Sequence, residues 1–168
     1  MKVLQIPCIK DKSSDELYEV PKLSQVFNSF CNLLSYDIRM DGVTDEQALV
    51  EWENARQELA TTIFSIAHQG IQEIKDQAAT QEETMMYGRE NAPPLLRLFK
   101  EGNRNLKAIN NSSVPETLAS LIAEENVDTL SLDTIISVIE AITAVTLYKP
   151  VAERVSELGV GKDLVRII

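Results

Sequence analysis

Residues 44–79 read TDEQALVEWENARQELATTIFSIAHQGIQEIKDQAA, and the periodicity of this stretch decides the fold class. Apolar positions recur at Ala48, Trp52, Ala55, Leu59, Ile63, Ile66, Gly70 and Ile74, in steps of 4, 3, 4, 4, 3, 4 and 4. That spacing marks one face of an α-helix. Leu49, Ala60, Phe64, Ala67 and Ile71 widen the stripe, and a face this broad packs against more than one neighbour. Thr44 with Gln47 has the form of a capping box, and Asp45 and Glu46 stand where the helix dipole favours anions. Gly70 lies on the stripe, which predicts a close contact there rather than a break. Whether the helix runs unbroken through it stays open.

Working outward, Leu23, Val26, Phe27, Phe30, Leu33 and Leu34 predict an earlier helix starting near Pro21 and ending before Asp41-Gly42. Residues 1–20 read as an irregular or extended start, broken by Pro7. Beyond helix two, Pro93-Pro94 opens a short helix that Gly102 stops. Ser113 with Glu116, and Pro115 in the first turn, open another. Residues 132–147 are apolar nearly all round, which predicts the buried central helix. A last helix covers 151–158, and Leu164 to Ile168 is an apolar tail that could pair as a strand with Val3 to Ile6. The expected architecture is one all-α domain over 1–168, a bundle of about five to six helices. Its N-terminal helical part spans 21–90 and its C-terminal part 91–168.

Composition narrows the function. The chain has 168 residues, 44% of them hydrophobic and 25% charged, an ordinary globular balance with enough length for a real core. No apolar run reaches the about 18–20 residues that span a bilayer, so no membrane partner is expected. The early Pro7 and the charged Lys10, Asp11 and Lys12 do not fit a signal peptide. With two cysteines only, Cys8 and Cys31, reduced thiols and a cytoplasmic setting are expected.

Catalytic and metal constellations fail on named residues. His68 is the single histidine, and Ser65 stands where a di-metal bundle needs glutamate. A serine or cysteine nucleophile needs a base, and one helical histidine supports no such scheme. Gly159-Val160-Gly161-Lys162 resembles a phosphate loop, but Ser156 and Asp163 occupy positions that the Walker pattern gives to Gly and to Ser or Thr. A helix cap is the better reading. The expectation is a non-enzyme with no cofactor and no metal.

Charge is unevenly spread. The net charge is −10, which argues against a free-standing nucleic-acid binder. Yet residues 89–107 hold Arg89, Arg97, Lys100, Arg104 and Lys107 against Glu90 and Glu101, a net +3. Residues 108–148 carry six acids and no lysine or arginine. The basic island could dock phosphates, or it could balance the protein's own acidic helices. Both readings stand at the level of sequence.

An all-helical chain of this size, with the segment PPLLRLFK at 93–100 among basic residues, resembles the small subunit of Cascade-type CRISPR effector complexes. The resemblance is one of format over the whole chain. It implies a scaffold subunit without catalysis, present in several copies, that steadies the target or displaced DNA strand. Only Arg89, Arg97, Lys100, Arg104 and Lys107 could carry that role here. The partners so expected are other protein subunits, including copies of itself, with DNA or RNA backbone contact inside the assembly. The alternative is a protein-only helical adaptor or dimerisation module with no nucleic-acid contact.

Overall fold

The computed structural model describes residues 12–85 and 102–168. All of the regular structure among the described residues is helical. The α-helices are α1 (Lys12–Ser35), α2 (Glu46–Met85), α3 (Arg104–Asn110), α4 (Val114–Leu121), α5 (Glu124–Val127), α6 (Leu132–Val145), α7 (Lys149–Glu157) and α8 (Val160–Ile167). A 3-10 turn, Ile38–Asp41, links α1 to α2. The all-α bundle expected from periodicity is therefore what the chain forms.

Several local expectations need correction. Helix α1 starts at Lys12 and carries Pro21 inside it, so residues 12–20 are not irregular. The cap of α2 is Asp45, whose Oδ2 accepts the Ala48 N–H at 2.9 Å. A carboxylate one residue on displaces Thr44 from that role, and Gln47 turns to Glu51 instead. Ser113 does precede α4, but its hydroxyl donates to Asn28 Oδ1 on α1 rather than capping. Leu164 to Ile167 belong to α8, and the Ile168 N–H returns to the Leu164 carbonyl. Helical hydrogen bonding thus replaces the strand considered there. Its proposed partner, Val3 to Ile6, lies outside the described residues, as does the helix expected after Pro94.

Helix α2 is continuous through Gly70 for 40 residues. Its buried line is Arg56, Ala60, Ile63, Ala67, Ile71, Ile74 and Ala78. Ala60, Ile63, Ala67, Ile71 and Ile74 lie on the broad face read in the sequence, and the fold adds Ala78 and a guanidinium to it. The most extensive packing in the molecule joins α2 to α6. The two run parallel: Glu53 meets Ser131 before α6, and Gly70 meets Asn103, beside Gly102 and the Tyr148 ring that follows α6. Helices α1, α3 and α4 close the core from the other side around Phe27, Leu106, Ile109 and Leu118. Side-chain hydrogen bonds fasten these layers. Ser24 donates to the Ala108 carbonyl, and Asn28 Oδ1 receives both the N–H and the hydroxyl of Ser113.

Candidate interaction surface

Of the five basic residues in the island, Arg89, Arg97 and Lys100 lie outside the described residues. Arg104 and Lys107 stand three apart on α3, on the face away from the buried Asn105, Leu106, Ala108 and Ile109. Arg104 reaches across to α1 and pairs with Glu19. Lys107 occupies the last turn of α3, where a cation suits the helix dipole. The Arg104 charge is thus met by a carboxylate of the protein itself.

The remaining arginines also work internally. Arg154 of α7 binds the Asn110 carbonyl and the Glu116 carboxylate, joining three helices. Arg166 bridges Glu124 and Asp163 at 3.2 and 3.0 Å. The sequence marked none of these as partners, because ion pairing across a fold leaves no spacing signal.

A denser cluster surrounds Trp52. Its indole N–H donates to the Tyr36 carbonyl at 3.1 Å. The Arg56 guanidinium lies 4.4 Å from the ring centroid and that of Arg39 lies 5.4 Å away, both within cation–π range. Asp37 grips Arg39 through two hydrogen bonds of 2.9 Å and also caps the 3-10 turn. That grip from Arg39 holds the Asp37 carboxyl below its ordinary value. Arg56 is only 6% exposed and its Nε has no partner. Burial lowers its pKa against the opposing pull of Glu53. Burial pushes the Glu53 carboxyl up, but the Ser131 N–H, Thr134 and Arg56 outweigh it and leave it lowered. The carboxylate therefore gains from the pair, while the guanidinium does not recover its lost hydration. The cluster ties the α1–α2 connection, α2 and the start of α6 into one rigid end.

Around that end several apolar side chains are exposed among carboxylates. Met40, beside Arg39, is 85% exposed, and Leu132, beside Ser131, is 71% exposed. Tyr36 and Val50 are also exposed. Along α6, Leu132, Ile136, Ile139 and Thr143 follow one another in steps of 4, 3 and 4, and Leu147 lies in the turn beyond the helix. Leu132, Ile136 and Leu147 are exposed. The helix expected at the centre thus carries the largest packing of the fold on one side only. Helices α2 and α4 bury one side of α6, through Val138, Ala141 and Val145, and the opposite side keeps Leu132 and Ile136 in solvent.

His68 is exposed and stacks on Phe64, 5.5 Å between centroids. Cys31 is a buried free thiol whose pKa burial raises. The stretch from Gly159 to Lys162 starts α8, with Gly159 as its cap residue. No group of three metal-ligating side chains gathers among the described residues. An open groove of about 540 Å³ lies along Asn54, Gln57, Glu58, Thr61 and Thr62. There the Thr62 hydroxyl is taken by the Glu58 carbonyl at 2.8 Å. Among the described residues no helix is long and apolar enough to cross a membrane.

No family model, curated protein or solved structure matches this chain. The functional reading rests on its own surface.

Proposed function

We infer that the chain is a non-catalytic helical subunit that docks other proteins, an adaptor or assembly module. One observation carries this reading: Met40, Val50, Leu132 and Ile136 are left exposed on a bundle end that the Trp52 cluster makes rigid. Exposed apolar groups joined on an ordered surface mark interaction sites, and Met, Tyr, Trp and Arg are the residues that interface cores favour. A preorganised surface also loses little entropy on binding.

The nucleoprotein reading, in which the chain is a small subunit of Cascade type, draws support from a different feature. Arg104 and Lys107 share the outer face of α3, beside the sequence that holds Arg89, Arg97 and Lys100. The Glu19 partner of Arg104 and the net charge of −10 weigh against direct strand contact, so this reading stands second.

Native assemblies carrying a tagged chain, sized in solution, separate the two. Leu132→Glu with Ile136→Glu is expected to release a free monomer, while Arg104→Glu with Lys107→Glu leaves the assembly intact. The reverse pattern, together with nucleic acid that elutes in a salt-dependent way, would sink the adaptor reading in favour of the nucleoprotein one.

A further inference from the structure

Building on that reading, we propose that the exposed face of α6 and the adjoining bundle end bind a basic amphipathic helix of a partner protein. The shape argues for a helix. The stripe from Leu132 to Thr143 has helical spacing and is about 16 Å long at 1.5 Å per residue. A partner helix of about three turns, with apolar residues at i, i+3, i+4 and i+7, lays its own stripe along it. Met40 and Val50 are also exposed, on segments tied to the start of α6 through Arg39, Trp52, Arg56 and Glu53.

Charge selects the partner's flanks. Residues 36–56 and 128–136 together carry eight carboxylates and two guanidiniums, a net of −6. Both guanidiniums, Arg39 and Arg56, are already engaged with Trp52 and with Asp37 and Glu53. Along α6, Asp133 and Glu140 are exposed and stand seven apart, so they line one edge of the stripe. Lysines or arginines flanking the partner's apolar face meet these carboxylates at the rim. There they raise the association rate and reject acidic competitors. A second copy of this chain is the poorer occupant. Pairing α6 with itself brings Glu140 near Glu140 across the two-fold, between molecules that each carry −10.

The test uses the full chain and a synthetic helical peptide of leucine and lysine with a single apolar face. A peptide of the same composition, scrambled to remove that face, and a leucine–glutamate helix serve as controls. The leucine–lysine helix is expected to bind, and the controls to bind at least about tenfold more weakly. Leu132→Glu with Ile136→Glu should weaken binding by about tenfold or more. Asp133→Lys with Glu140→Lys should weaken it and flatten its salt dependence. Val165→Glu, on the exposed side of α8, should leave it unchanged. Equal binding of the scrambled peptide, or indifference to the α6 substitutions, overturns the proposal. Preference for the glutamate helix at the same stripe overturns the partner's charge but keeps the docking reading. Self-association that Ile136→Glu abolishes assigns the face to a second copy and overturns it also. If no helix binds and native assemblies ignore the α6 substitutions, the adaptor reading falls as well.

Discussion

Two glycines show how far a single residue can be read. Gly42 and Gly102 both have positive φ, 82° and 73°, where any side chain strains the backbone by about 1–2 kcal/mol. They differ in what a Cβ would meet. At Gly42 there is nothing within 4 Å, whereas at Gly102 the added carbon would lie 2.6 Å from the buried Tyr148 ring. Gly42→Ala should therefore cost about 1 kcal/mol, and Gly102→Ala about 2–4 kcal/mol once overpacking is added. Denaturant unfolding of the two variants measures the difference, and equal losses would show that Tyr148 moves aside freely. Gly70 is a third case, set by approach rather than backbone. Asn103 donates to its carbonyl at 2.6 Å while accepting the Leu106 N–H that starts α3. Gly70 could be read from the sequence as a contact point because it sat on the apolar stripe. Its neighbour could not, because an asparagine more than thirty residues away carries no periodic signal.

At the scale of elements, periodicity made α2, α4, α6 and α7 legible, since each buries an apolar face and burial imposes a 3.6-residue rhythm. It failed where the face contained a charge or a proline. Arg56 lies on the buried line of α2 because Trp52 and Glu53 receive it, and α1 runs through Pro21. The Glu53 link between α2 and α6 gives a pH prediction. The carboxyl titrates near 4.5 when free and lower in the fold. The native state thus holds fewer protons than the unfolded chain in that window, so stability rises with pH there. The contribution is complete above about pH 4.5 and is lost as pH falls through the folded value. Thermal unfolding followed from about pH 6 to about pH 3 should show wild type losing stability more steeply than Glu53→Gln. Gln keeps an oxygen for the Ser131 N–H but has no proton to take up. Parallel curves would mean that Glu53 does not sense the fold.

For the molecule as a whole, the core and the proposed surface make opposite predictions under substitution. The candidate site was legible only in its charge. The sequence pointed to the basic island, yet the cluster at Trp52 draws on residues 36–56 and 131–134, which the fold alone brings together. The exposed side of α6 escapes the sequence because an apolar face in solvent has the same composition as one inside a core. Energetics can tell the two apart. Leu118 is fully buried among helices that share one continuous core, so Leu118→Ala should cost about 2–5 kcal/mol. It should do so within a single unfolding transition, since α1, α4, α6 and α7 all pack together there. Leu132→Ala and Met40→Ala remove side chains that already face water, and each should change stability by no more than about 0.5 kcal/mol. If α6 instead belongs to an internal core, Leu132→Ala will cost as much as Leu118→Ala. Stability that ignores Leu132 and Met40, in a chain whose peptide binding depends on the Leu132 end of α6, is the pattern expected of an interaction surface.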